Sequence, residues 1–201
     1  MSSSALIVPT GFISRRRAFL QSAGAATLSA AAVALIAGCE SQAQGMGKPA
    51  DAMSDVNILN TALGLEHEAI NAYQLGAESG LLQKPVLDTA VLFQSQHKEH
   101  RDALIATVKK LGGTPVAEKS KADYAKALNA GSLKSQADVL HLAQRLERGA
   151  ANAYIGVIPA FHDPALAQIS ARLAADETMH WTALTSALAE ALPQKALAFG
   201  A

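Results

Sequence analysis

The chain has 201 residues, and its 17 basic and 17 acidic side chains cancel. That balance gives no reason to expect nucleic acid or an acidic substrate as a partner. A single cysteine, Cys39, excludes an intramolecular disulfide framework and a thiolate metal cluster, so any metal must be held by histidine and carboxylate.

Residues 1–39 read as a targeting segment and stand outside the fold. Arg15-Arg16-Arg17-Ala18-Phe19-Leu20 resembles a twin-arginine export signal, with Arg16 and Arg17 as the pair. An apolar run of about 15 residues, from Ala23 to Ala37, follows. That suits a signal core and is short for a membrane span. The run ends Ile36-Ala37-Gly38-Cys39, which resembles the cleavage box of a bacterial lipoprotein. On that reading Cys39 is the lipidated first residue of a periplasmic or membrane-anchored protein, and the anchor is its contact with a membrane. Ordinary signal cleavage nearby is the alternative. Residues 40–53, rich in Gly, Gln, Ser and Ala, read as a flexible tether.

Residues 54–201 read as the folded domain. Abundant Ala and Leu, with only 4% aromatic residues, favour helix. The first helix is expected to start near Ser54 or Asp55, either a suitable N-cap, with the stripe Leu59, Leu63, Glu66, Ile70, Tyr73. The second starts after Pro85, has the stripe Phe93, His97, His100, Leu104, Val108, and stops at Gly112-Gly113-Thr114-Pro115. A polar connection over 114–134, with a short helix around 122–128, is long enough to cross a bundle. The third helix starts at Ser135, with Asp138 three residues on, and has the stripe Leu140, Ala143, Glu147, Ala150, Tyr154. The fourth opens at Asp163-Pro164 and has the stripe Leu166, Leu173, Glu177, His180, Leu184. Two helical hairpins joined by one long crossover make an all-α four-helix bundle.

The two hairpins repeat one another. Leu65-Glu66-His67-Glu68-Ala69-Ile70-Asn71-Ala72-Tyr73 parallels Leu146-Glu147-Arg148-Gly149-Ala150-Ala151-Asn152-Ala153-Tyr154, an offset of 81 residues. The stretch around His100 parallels the stretch around His180 at an offset of 80. Each apolar stripe is broken at mid-length by a polar residue: Glu66, His97 with His100, Glu147, and Glu177 with His180. Glu177 and His180 are three residues apart, about one turn, and share a face. Burying an isolated carboxylate costs several kcal/mol unless it is paired or binds a metal. A divalent cation removes the repulsion among three carboxylates, and oxygen and imidazole ligands suit iron, manganese or zinc. A hydrogen-bonded network without metal is the alternative. His67, His141 and His162 fall off the stripes and are expected at the surface or in loops, Glu99 points away from the core, and Trp181 is expected to pack.

With these residues placed, the chain over about 55–191 resembles the ferritin-like dimetal-carboxylate family, which includes ferritins, rubrerythrins and manganese catalases. The family pattern is one Glu on each of two helices and Glu-x-x-His on each of the other two. Glu66 and Glu147 match the single glutamates, Glu177 and His180 match one Glu-x-x-His, and His100 matches the second histidine. His97 stands where the family has its second shared, metal-bridging glutamate. Imidazole does not bridge as a carboxylate does, so three His and three Glu could hold two metals unsymmetrically or a single one. The resemblance also implies that Tyr73 and Tyr154 hydrogen-bond the ligand carboxylates, core tyrosines with otherwise satisfied hydroxyls being the alternative. It implies an iron or manganese protein acting on oxygen or peroxide, with a homo-oligomer open, or a metal-holding bundle without turnover. A closed iron-storage shell is less attractive for a subunit with a lipid anchor at its start.

Overall fold

The computed structural model describes residues 49–200, and the segments read as export signal and as tether up to residue 48, with Cys39, lie outside them. Among the described residues the fold is all-helical. The long helices are α1 (Pro49–Glu78), α2 (Lys84–Lys110), α4 (Gln136–Val157) and α5 (Pro164–Ala187), and a short α3 (Lys121–Ala127) lies in the crossover. Single 3₁₀ turns follow α3 at Ala130–Ser132 and α4 at Ile158–Ala160. No described helix is long and apolar enough to cross a membrane.

Most helix ends form where capping chemistry dictates. Ser135 accepts from the Asp138 N–H, and Asp163 accepts from the Ala165 N–H ahead of α5. After α2 the chain reverses through Gly112 at φ +78°, and Gly113 N–H bonds back to Val108. Gly113 must also be bare, because a Cβ there would lie 2.5 Å from Val56 Cγ1. The start of α1 departs from expectation: the helix begins at Pro49, so residues 49–53 are helical rather than tether. Asp55 does not cap its own helix. It is buried, and its carboxylate accepts from the backbone N–H groups of His162 and Asp163, fixing the turn into α5.

α1 packs on α2, α4 packs on α5, and α1 against α4 joins the hairpins. The crossover lies over α1: Asn60 bonds the backbone of Thr114 and Val116, and Asn71 donates to Glu118. His67, expected at the surface, is instead buried beneath this strap, with Nε2 3.4 Å from the Val116 carbonyl oxygen. An off-stripe position became interior because the crossover covers that flank. The core divides into two apolar clusters. One, at the start of α1, includes Leu59, Leu63, Leu104, Val108 and Tyr154; the other, at its end, includes Tyr73, Ala90, Phe93, Leu140 and Leu184. A polar layer separates them.

Candidate metal centre

Each polar break lies at mid-helix, so antiparallel packing of the four long helices brings them to one level. Glu66, His97, Glu147, Glu177 and His180 are each at most 1% exposed, and His100 is 9% exposed. His97 is central. Its Nδ1 lies 2.8 Å from Glu66 Oε2 and its Nε2 3.1 Å from Glu147 Oε1. Glu177 lies between the other two imidazoles, with Oε1 3.2 Å from His100 Nδ1 and Oε2 3.2 Å from His180 Nδ1.

Two overlapping groups present one donor atom per residue within 4.8 Å of one another: Glu66, His97, His100 and Glu177, and His97, Glu147, Glu177 and His180. All six residues singled out in the sequence are brought together. Glu99 is exposed, as the helical angle requires. Tyr73 donates to Glu147, and Tyr154 donates to Glu66.

Two residues that the stripes did not single out, Asp176 and Gln96, complete the surroundings. His100 Nε2 lies 3.3 Å from Asp176 Oδ2, and His180 Nε2 lies 2.7 Å from Gln96 Oε1. Phe93 stacks on His180 with ring centroids 4.1 Å apart, and His67 is buried beneath the crossover rather than in this layer. Gln96 and Asp176 each stand four residues, one turn, before a histidine, and they too are separated by the repeat offset of 80. Matching the repeat at that depth would have found both. The outer contacts leave Nδ1 of His100 and His180 facing the carboxylates, the orientation a metal-binding imidazole needs.

The charges are strongly coupled. Burial disfavours the imidazolium of His97, but hydrogen bonds to Glu147 and Glu66 overcome it and lift the group to about 10. His100 overcomes the same burial through Asp176, Glu177 and Glu66 and rises to about 12. His180 is raised against burial by Glu147 and Glu177. Burial raises carboxyl pKa values, yet His100 and His97 bring Glu66 down to about 2, and His180 and His97 hold Glu147 below the ordinary range. For Glu177 burial wins and the group is raised. Burial, reinforced by the adjacent glutamates, raises both tyrosines and keeps them neutral donors.

The network is not closed. His100 Nδ1, Glu147 Oε2 and Glu177 Oε1 are buried without a hydrogen-bond partner. Neighbouring charges approach them, but without hydrogen-bond alignment. Unpartnered buried polar atoms are costly, and here they come from three of the four long helices and share one layer. A cation among them would take up these lone pairs, so the donor set fits a divalent metal.

Bundle and buried layer together define a helical protein with a histidine–carboxylate centre. Residues 54–190 match the model of the ferritin-like domain, and the chain belongs to that family. Its fold is similar to the crystal structure of a conserved hypothetical protein, rv2844, from Mycobacterium tuberculosis, with 23% identity and a TM-score of 0.59. That match covers 73% of this chain and 97% of the other, and at this identity it speaks for the fold alone. No curated protein matches the chain.

Proposed function

We propose that this is an exported ferritin-like protein that holds one or two divalent cations, iron or manganese, among Glu66, His97, His100, Glu147, Glu177 and His180, and uses them on oxygen or peroxide. The observation that carries the metal reading is the set of orphaned atoms, His100 Nδ1, Glu147 Oε2 and Glu177 Oε1, within a buried layer of opposite charges. When bound, the metal would supply redox cycling at an open coordination position. The chain's own groups hold and orient. Glu66 and Glu147 are steered by Tyr154 and Tyr73, His100 and His180 by Asp176 and Gln96, and the flanking apolar clusters keep bulk water away. Export rests on Arg16-Arg17 and the apolar run, and lipidation on Cys39 at its end.

One observation favours a second reading, a bundle that holds metal without turnover or holds none. His97 already hydrogen-bonds a carboxylate through each ring nitrogen, as a metal-free ion-paired core would require. Metal analysis of the purified protein, then a peroxide-consumption assay, separates the cases. Bound iron or manganese with turnover supports the first reading, and metal without turnover selects the second. A folded protein that takes up no metal on reconstitution removes the metal versions of both. The mass of the mature N-terminus tests cleavage and lipidation at Cys39.

A further inference from the structure

We infer that the bundle end beyond Tyr73 contains a binding site for a compact, uncharged, largely hydrocarbon molecule. A cavity of about 290 Å³ opens there among all four long helices, its walls including Tyr73, Gly76, Ala90, Ala143, Leu184 and Ala187. None of the described residues lining it is charged. A charged ligand would lose hydration without gaining a partner, whereas an apolar one gains contact with walls from all four long helices. Engineered apolar cavities of about 150 Å³ hold benzene, so this space suits a molecule of one or two small rings or a short branched chain.

The internal repeat supplies a comparison within the same molecule. Shifted by the repeat offsets, Gly76 becomes Val157, Ala90 becomes Ser170 and Ala187 becomes Thr107. The opposite end thus carries a larger side chain at each of these three places. Ser170 and Thr107 also spend their hydroxyls on the carbonyls of Tyr154 and Ala103. Among the described residues, small side chains such as Ala90 and Ala187 thus widen the space at this end beyond what the shared bundle geometry alone provides.

Its position gives it a neighbour of consequence. Tyr73 forms part of the wall and hydrogen-bonds Glu147. Edge to face against Tyr73, at 6.2 Å between centroids, is Phe93, which stacks on His180. An occupant would lie one aromatic layer from the polar centre, touching the ring that orients Glu147. Ala183 and Ala187, both exposed on α5, mark the mouth.

Toluene is a suitable probe, titrated calorimetrically into the full chain in metal-stripped and metal-loaded form. Saturable one-to-one binding is expected in both forms, because the walls do not depend on the cation. Failure of the protein to take up metal therefore leaves this test intact. Ala143→Leu fills the space and is expected to weaken toluene at least tenfold while the protein stays folded by circular dichroism. Ala187→Leu narrows the mouth, is expected to act in the same direction, and decides the matter should the first variant not fold. Benzoate and benzylamine, of similar size but charged, are expected not to bind. Absence of saturable toluene binding, equal affinity in the folded variants, or equal binding of the charged probes would each overturn the assignment.

Discussion

Tyr73 on α1 hydrogen-bonds Glu147 on α4, while Tyr154 on α4 hydrogen-bonds Glu66 on α1. Each tyrosine stands seven residues after the glutamate of its own helix, yet it serves the glutamate of the other. The exchange ties the hairpins together at the level where their charges meet. Tyr73→Phe removes one of the two hydrogen bonds at Glu147 Oε1 and leaves the one to His97. Each Tyr→Phe change is expected to lower stability in urea by about 1–3 kcal/mol, as for a buried acceptor losing its donor. Each should also weaken iron(II) or manganese(II) binding by about 10- to 100-fold, the usual effect of losing a group that orients a ligand. Unfolding curves and metal titration check both; two variants indistinguishable from the parent would show the hydroxyls to be idle.

Asp176 and Gln96 make the same exchange one shell further out, and not equally. Asp176 is a half-exposed carboxylate on His100, and Gln96 is a neutral amide on His180. Asp176→Ala is expected to free the His100 ring and to reduce metal affinity by about 10- to 100-fold. Asp176→Asn keeps an acceptor and should lose less. Metal titration of both, with circular dichroism as a check on the fold, decides; equal losses would mean that charge, not orientation, is what His100 needs.

His97 occupies the place that Glu177 holds in the other repeat, 80 residues on, and it belongs to both four-residue donor groups. His97→Glu would supply a second carboxylate at the centre. The expected outcome is more metal bound per chain, or tighter binding of a second ion, read by metal analysis after reconstitution. The metal-free variant should be less stable than the parent, because it replaces an imidazolium between carboxylates with a further acid. Unchanged stoichiometry and affinity would exclude His97 from the ligand set.

The bundle was legible because its signals are local and periodic. Ser135, Asp163 and Gly112 cap or end helices by their own chemistry, and the stripes carry Glu66, Glu147, Glu177 and His180 inward at fixed spacing. The first helix start is hidden in the sequence because Asp55 looks like an N-cap in one dimension and caps another element in three. The burial of His67 is hidden for a related reason. Its burial depends on where the crossover lies, which no period in α1 encodes. Gln96 and Asp176 stand out as a pair at the repeat offset, but that they reach across to His180 and His100 appears only once the hairpins are packed.

The coupled charges fix how the metal-free protein responds to pH. The folded pKa of His97 is raised from 6.5 to about 10, so its contribution is fully present below 6.5 and is lost as pH climbs towards 10. His100 acts in the same direction over a window reaching about 12. Glu66 is depressed from 4.5 to about 2, so its contribution is present above 4.5 and is lost as pH falls through that interval. Glu177, raised by burial, works against the acid loss and offsets part of it. Metal-free protein is therefore expected to be most stable between pH 4.5 and 6.5. A bound cation must displace the imidazole protons, so affinity should rise about tenfold per pH unit for each proton released. Metal should then protect most on the alkaline side, where the ion pairs are already failing. Urea midpoints at about pH 6 and about pH 9, with and without manganese(II), test both halves of this expectation. A metal-free midpoint that climbs between those values, or a cation affinity that stays the same, would show that the imidazoles of the core are neutral before any metal arrives.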